Sequence, residues 1–333
     1  RAYYRRHRDR FIWTIANPSA YENRHLSERV GMEGSATLAS GAWGSVVAGA
    51  EVAHESIDSF NLNDAFAGLG DHGRWRNALF AEYAGRLGEG IGVSAGLRYD
   101  NHEGFGGETS PSVGLSYRLQ KHRLFASVTR AYRAPSFTEF YYEDTRNRGN
   151  PELAAERGWT YETGVETAFV GGALLRSSVF VRQENNLVDY VRADTTQPWA
   201  ATNLGEMRTV GILLHKERAW GPVRTQVSNV WVYKEQTLAA GTLSKYVFTH
   251  PTHQLTARLD HQLIARISAG WQLQLKERNG QDDYTLVDLV ISRSFGFGQT
   301  LLIIQNLTDE SYEAVGGVPM PGRWMSLETR FEL

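Results

Sequence analysis

The sequence predicts an all-β fold, a transmembrane antiparallel up-and-down β-barrel of about 16 strands. Three observations predict it. Hydrophobic and polar residues alternate with period two along most of the 333 residues. The connections between the alternating segments are short and long in turn. The number of segments is also too large for a barrel whose interior could be filled by side chains.

The composition is that of a folded, strand-rich protein. Hydrophobic residues make up 41% of the chain and charged residues 22%, which is too apolar for disorder. Aromatic residues reach 11%, and 33 Gly stand against only nine Pro, which suits strands joined by tight turns. The net charge of −2 gives no general attraction to nucleic acid, and the lack of Cys excludes disulfides and thiolate metal sites.

The alternation is clearest in the segment IGVSAGLRY at 91–99. Here Ile91, Val93 and Leu97 fall on one side of an extended chain, and Ser94 and Arg98 fall on the other. The same pattern recurs along the chain, and no helical spacing of hydrophobic residues competes with it over a long stretch.

Sixteen such segments are predicted as strands. In chain order they are 2–14, 24–39, 43–57, 74–86, 90–102, 109–119, 123–133, 157–169, 173–192, 200–217, 223–236, 252–264, 266–278, 283–295, 299–306 and 323–333.

The connections sort by length. Short turns are predicted near 40–42, 87–89, 120–122, 170–172, 218–222, 265 and 296–298, and longer connections at 15–23, 58–73, 103–108, 134–156, 193–199, 237–251, 279–282 and 307–322. In an up-and-down sheet, all short turns then lie at one end and the longer loops lie mainly at the other. That asymmetry is typical of outer-membrane barrels, which have short periplasmic turns and long extracellular loops.

Alternation alone does not say which face of the sheet meets the solvent, but the strand number does. A barrel this wide has a wet or plugged interior, so its apolar face must be covered from outside, and a bilayer provides that cover. A soluble β-rich binding protein is the competing interpretation, and it predicts extraction without detergent.

Several segments carry a family likeness. They are RAYRAPSFTEFYY (130–142), GNPELAAERGWTYETGVE (149–166), VFVRQENNLVDYVR (179–192), ATNLGEMRTVGILL (201–214) and QNLTDESYEAVGGVPMPGRWMSLETRFEL (305–333). In their order and spacing they resemble the C-terminal barrel of TonB-dependent outer-membrane receptors, the cobalamin and siderophore transporter family. The resemblance covers most of the chain from about residue 74 onward.

The resemblance implies TonB-energised uptake of a large scarce nutrient, such as cobalamin or an iron–siderophore, across the outer membrane of a Gram-negative cell. The implied partners are outer-membrane lipid, TonB acting through a plug domain, and a small-molecule nutrient; the protein is expected to be a monomer that binds no nucleic acid. No cofactor, resident metal or enzymatic activity is expected. A passive porin-like channel is the alternative.

Barrels of this family have about 22 strands and enclose an N-terminal plug. Residues 1–333 are therefore expected to be the C-terminal part of such a barrel, with the plug and the first strands absent. This part alone is expected to be incompetent for transport, with open edges at its first and last strands or closure into a smaller barrel.

The long excursion at 134–156 is the predicted extracellular ligand loop. Rings offer large contact areas and guanidinium groups offer charged handles for a bulky ligand. The candidate ligand-binding residues are Arg133, Phe137, Phe140, Tyr141, Tyr142, Arg146 and Arg148, with Trp199 at the end of the next long connection. The competing interpretation is structural, because Pro135, Gly149, Asn150 and Pro151 are turn formers.

Other aromatic residues suggest a membrane role. By the strand register, an aromatic girdle at lipid-facing or strand-end positions is predicted from Tyr83, Tyr99, Tyr117, Trp231, Trp271 and Trp324. His250 and His253 lack an evident third metal ligand. The pairs Asp282–Asp283 and Asp309–Glu310 are a weak calcium candidate. A hydrolase is not supported, because the Gly-x-Ser-x-Gly pattern at 92–96 lies within an alternating strand segment and no helix follows it.

Overall fold

One antiparallel sheet of 16 strands dominates the structure, which is a computed structural model. It describes residues 1–12, 14–39, 41, 44–61, 69–236, 241–246, 250–264, 266–315 and 318–331. The strands of this sheet are β1 (Ala2–Ile12), β2 (Glu22–Ala39), β3 (Ser45–Asn61), β4 (Gly70–Leu87), β5 (Ile91–His102), β6 (Gly106–Leu119), β7 (His122–Arg133), β9 (Glu156–Ala168), β10 (Ala173–Asn185), β13 (Met207–Trp220), β14 (Val223–Gln236), β16 (Pro251–Ile264), β17 (Ile267–Arg278), β18 (Tyr284–Phe295), β19 (Gly298–Gln305) and β22 (Trp324–Phe331).

The remaining elements are short and belong to the connections. They are a 3-10 turn (Pro18–Ala20), the helix α1 (Phe137–Tyr141), and the strands β8 (Asn147–Arg148), β11 (Val188–Arg192), β12 (Trp199–Asn203), β15 (Leu243–Ser244), β20 (Glu313–Val315) and β21 (Val318–Pro319). In the described part of the chain, no helix is long and apolar enough to cross a membrane.

Each strand of the large sheet pairs with its neighbours in chain order, which confirms the predicted up-and-down antiparallel topology and the strand number. The ladders are long; β2 and β3, for example, pair from Ala39 opposite Ser45 to Asn23 opposite Asn61. Among the described residues no ladder joins β1 to β22, so each of these strands leaves one edge unpaired.

The two faces of the sheet differ as predicted. On one face large apolar side chains are exposed, with 55% of Leu97, 52% of Leu115 and 64% of Met32 accessible. Leu289 pairs with Trp271 on one side and Ile304 on the other and is buried. We call this apolar side the outer face, because lipid is the solvent that such a surface requires.

Ion pairs cover the opposite, inner face. The carboxylate of Glu51 accepts hydrogen bonds from Tyr3 at 2.7 Å, Arg29 at 3.3 Å, Arg76 at 2.6 Å and Arg98 at 2.8 Å. Charged groups held away from bulk solvent need such partners. The polar half of the period-two pattern therefore lines the interior.

Two predicted strands differ from the structure. The segments 173–192 and 200–217 do not run unbroken, because β10 ends at Asn185 and β13 begins only at Met207. Asn186 adopts the left-handed conformation at φ 58°, which Asn tolerates and which ends the extended chain. The ends of the two predicted strands instead form β11 and β12, which pair with each other in a separate four-stranded sheet that also contains β8 and β15.

Some predictions concern residues outside the described part of the chain. They include the turn at 265, most of the turn at 40–42, parts of the connections at 58–73, 237–251 and 307–322, residue 13 and the C-terminal residues 332–333. Of the predicted girdle residues, the ladders put five on the outer face: Tyr83, Tyr99, Tyr117, Trp231 and Trp271. The sixth, Trp324, lies at a strand end, at the start of β22 and opposite Gln305.

Candidate functional site

Three long connections at one end of the sheet fold together into a compact unit. It consists of residues 134–155, 186–206 and 241–246, and we call it the cap. Its small sheet has the order β15-β11-β12-β8, so each of the three connections supplies at least one strand. The backbone amide of Trp199 donates to the carbonyl of Arg146 at 2.7 Å and joins the first connection to the second.

The cap has its own hydrophobic core. Phe140, Leu153, Val188 and Ala201 are buried against one another, and Phe105 and Tyr190 pack at the edge of this cluster. The core residues come from two different connections. Burial of this kind drives loops to adopt one conformation in place of many.

The first turn of the cap is fixed by Arg133 at the end of β7. Its guanidinium forms two hydrogen bonds of 2.9 Å with Glu139 and two of 2.6 Å with Glu156. Ser136 and Glu139 form a capping box that starts α1. Burial opposes ionisation of Glu139, but the Arg133 guanidinium and the Ser136 amide hold the pKa of this carboxyl below its usual value.

Asp144 organises the next turn. Its carboxylate accepts from the backbone amides of Arg146 at 2.7 Å and Asn147 at 2.5 Å. Burial disfavours the charged carboxylate, but these amides lower the pKa of Asp144 below its ordinary value. This is the Asx-turn chemistry expected of Asp in a loop.

Asp189 holds the third connection to the second. Only 1% of this residue is exposed. Its carboxylate accepts from the Tyr246 amide at 3.2 Å and from the hydroxyl of Ser244. A buried carboxylate of this kind requires its donors, so the 241–246 segment is anchored to β11.

Basic and aromatic side chains gather around Lys245. Its ammonium group lies 5.3 to 5.9 Å from the ring centroids of Tyr190, Trp199 and Tyr246. The same ammonium donates to Asn147 Oδ1 at 3.1 Å. The Arg192 guanidinium lies over the Trp199 ring at 4.1 Å. Burial raises the pKa of the Tyr190 hydroxyl to about 12.

The cap also contacts the far wall of the sheet. The ring of Tyr141 stacks on His72 with centroids 3.7 Å apart, and Phe137 lies 4.8 Å below the Arg74 guanidinium. Arg74 also donates to the Pro135 carbonyl at 2.8 Å. The first connection therefore reaches from β7 and β9 to β4, across the inner face.

The structure separates the eight predicted site residues into two groups. Four hold the cap in shape: Arg133 in its two ion pairs, Phe137 on Arg74, Phe140 in the core, and Tyr142 in hydrogen bonds to Tyr21 and Asp144. Burial and the Tyr21 hydroxyl raise the pKa of Tyr142 above its usual value.

The other four are at least partly accessible. Tyr141, Arg146 and Arg148 are exposed, and Trp199 is half-buried beneath Arg192. The sequence does not single out Tyr190, Arg192, Lys245 and Tyr246 as a cluster. The alternation in VDYVR at 188–192 indicates a strand there, but in the sequence it is continuous with the strand before it.

Comparison with known proteins identifies the fold and its relatives. A family model described as TonB dependent receptor-like, beta-barrel matches residues 1–307. The vitamin B12 transporter BtuB of Vibrio cholerae is 26% identical over 261 residues, which covers 75% of this chain and 41% of the transporter. The ferric enterobactin receptor of Pseudomonas aeruginosa is 34% identical over 110 residues, covering 28% of this chain and 15% of the receptor.

Solved structures share the architecture. The siderophore receptor PirA of P. aeruginosa superposes with a TM-score of 0.73 at 19% identity, over 93% of this chain and 57% of that one. The copper transporter OprC gives a TM-score of 0.75 at 14% identity, over 96% of this chain and 58% of that one. The chain thus spans 41% of the length of BtuB, 57% of PirA and 58% of OprC.

The matched family is one of outer-membrane β-barrels of Gram-negative bacteria that act as receptors and transporters. The match covers most of the chain and agrees with the sheet order and with the apolar outer face. The chain belongs to the TonB-dependent receptor family, and its residues 1–307 match the model of that family's β-barrel.

Proposed function

We propose that the protein is an outer-membrane receptor that captures a large, scarce nutrient at its extracellular cap for TonB-energised uptake. Cobalamin and iron–siderophores are the nutrient classes suggested by the relatives, since BtuB is a vitamin B12 transporter and PirA a siderophore receptor. TonB, a plug domain and outer-membrane lipid are the partners this function needs, and the working unit is a monomer.

The observation that carries the proposal is the preorganised cap. Its core and its buried Asp189 fix the loops before any ligand arrives, which lowers the entropic cost of binding. The accessible side chains are aromatic and basic, a combination suited to bulky ligands with rings and anionic groups. We propose that Tyr141, Arg146, Arg148 and Trp199 contact the ligand, together with Arg192 and Tyr246.

The remaining predicted residues act indirectly in this proposal. Arg133, Phe137, Phe140 and Tyr142 hold the loops that present the contact residues. Replacing one of them is therefore expected to loosen the cap as a whole, whereas replacing Arg148 or Tyr246 removes one contact.

The test is uptake by cells. The gene is deleted in its host and restored on a plasmid, and accumulation of radiolabelled cobalamin and of ferric siderophores is measured with and without TonB. Substrate accumulation that requires both the gene and TonB supports the proposal. Accumulation that persists without TonB supports the passive channel instead. If deletion of the gene reduces the accumulation of none of these substrates, both proposals are contradicted.

Contact residues are tested in the same assay. Tyr246→Ala and Arg148→Ala are compared with Tyr233→Ala, an exposed tyrosine on the outer face. The cap variants are expected to weaken uptake at limiting substrate, and the outer-face variant is expected to leave it unchanged.

A further inference from the structure

A cavity of about 620 Å³ lies on the inner face directly beneath the cap. Its wall is formed by neighbouring strands β10, β13, β14 and β16, and Leu187 and Tyr246 of the cap also line it. Its volume falls in the range of pockets that hold small organic ligands.

One row of residues across this wall is cationic. The register places Arg182 opposite Thr209, and Thr209 opposite Lys234, at the same height on three adjacent strands. The nearest carboxylate to Arg182 is that of Glu184, at a loose 3.8 Å. Glu184 lines the same cavity and interacts electrostatically with Lys234 as well, without forming a close ion pair with it among the described residues. The wall therefore holds two cationic side chains, Arg182 and Lys234, against the one carboxylate of Glu184.

The Thr209 side chain is the second observation that points to a ligand. Only 6% of this residue is exposed, and its hydroxyl has no hydrogen-bond partner within the described residues. A buried hydroxyl without a partner costs free energy, of the order of 1–3 kcal/mol. An acceptor placed between Arg182 and Lys234 would satisfy it.

The next row toward the barrel interior is apolar and flat. Phe180, Gly211 and Val232 lie opposite one another there. The Phe180 ring rests on Gly211, where an added Cβ atom would clash with the ring atoms. The missing side chain at Gly211 thus lets the ring lie against the wall and leaves an aromatic surface facing the cavity.

We propose that this cavity binds a small organic monoanion with a flat apolar body, such as an aromatic carboxylate. Its anionic group lies between Arg182 and Lys234 and accepts the Thr209 hydrogen bond. Its body lies over Phe180 and Val232. The site deepens the proposed function, because it gives a chemical class for a ligand, or a ligand fragment, that passes beneath the cap. Only the biological role of this site rests on the proposed function, because ligand binding to the site is measured independently of uptake.

The test uses the whole protein purified in a neutral detergent and para-fluorobenzoate as the probe, followed by fluorine NMR. Para-fluorobenzamide is the neutral probe of the same shape. The benzoate is expected to bind at least about tenfold more tightly than the benzamide, because charge-assisted hydrogen bonds are the stronger ones.

Variants assign the binding to this cavity. Lys234→Met and Thr209→Val are each expected to weaken benzoate binding about fivefold or more. Lys276→Met is the matched control, since Lys276 also lies on the inner face but outside the cavity, with its ammonium 5.6 Å from the Tyr284 ring. Val232→Trp is expected to fill the cavity and abolish binding, with heat-modified gel mobility confirming that the variant folds.

Equal affinity for the two probes would overturn the assignment of an anionic ligand. Equal effects of Lys234→Met and Lys276→Met, or full binding to a folded Val232→Trp variant, would overturn the assignment of the site. Loss of uptake in cells with intact benzoate binding would count against the transport proposal and leave this site standing.

Discussion

The side chain of Asn203 exchanges two hydrogen bonds with the backbone of Ala154, 49 residues earlier in the chain. Its Oδ1 atom accepts from the Ala154 amide at 2.8 Å, and its Nδ2 atom donates to the Ala154 carbonyl at 3.0 Å. Nδ2 also donates to the Asn186 carbonyl at 2.7 Å, next to the point where β10 ends. The side-chain amide of Asn203 thus joins two connections of the cap by hydrogen bonds.

Asn203→Ala is expected to loosen the cap without unfolding the sheet. Removal of the amide leaves backbone groups of Ala154 and Asn186 without partners, at a local cost of about 1–3 kcal/mol. Hydrogen exchange at residues 150–156 is expected to quicken. Asn101→Ala, at an exposed position of β5, is the control and is expected to change nothing in the cap. Unchanged exchange at 150–156 would contradict the role given to Asn203.

Asp189→Ala is expected to release the 241–246 segment. The variant removes the buried carboxylate that accepts hydrogen bonds from the Tyr246 amide and the Ser244 hydroxyl, and with it contacts that join the 241–246 segment to β11. Trypsin cleavage after Lys245 is the measurement, and it is expected to be several-fold faster. Asp194→Ala, in an exposed turn of the same connection, should leave cleavage at Lys245 unchanged.

The high pKa of Tyr190 makes the cap sensitive to alkali. Its folded pKa of about 12 exceeds the unfolded value of about 10, so its neutral form is favoured in the folded state. Its contribution to stability is therefore complete below about pH 10 and is lost as the pH rises toward 12. The ultraviolet titration of Tyr190→Phe, subtracted from that of the parent, is expected to show one late-titrating phenol. A difference centred near pH 10 would contradict the burial of this hydroxyl.

Two adjacent positions test the assignment of the faces. Val93 lies on the outer face opposite Leu115, and Ser94 lies on the inner face opposite Gly114, at nearly the same depth. Val93→Arg is expected to destabilise the barrel in lipid vesicles by about 1–2 kcal/mol, between the interfacial and midplane costs of a lipid-facing Arg, whereas Ser94→Arg is tolerated. Urea titration of heat-modifiable mobility measures both. Equal losses at the two positions would show that the outer face does not meet lipid.

The sequence was a good guide to the sheet and a poor one to the cap. Strands such as β5 were predictable because Ile91, Val93 and Leu97 alternate with polar residues, and period two is a local property. The break after Asn185 was not predicted. Nothing nearby in sequence shows that β11 would leave the sheet and pair with β15, more than 50 residues away.

The predicted ligand residues show the same limit. The candidate residues in 134–156 are predicted from their aromatic or basic side chains. That chemistry alone does not distinguish Phe140, which is buried in the cap core, from Tyr141, which is exposed. Lys245 and Tyr246 were missed because their significance depends on Asp189, a contact that only the folded chain makes.

The left-handed residue Asn186 marks where the large sheet ends and the cap begins. Because the chain changes direction there, the pairing of β10 with β13 does not dictate the alignment of β11 with β12. Insertions and substitutions beyond Asn186 can therefore change the cap while the ladders of the 16-stranded sheet keep their register.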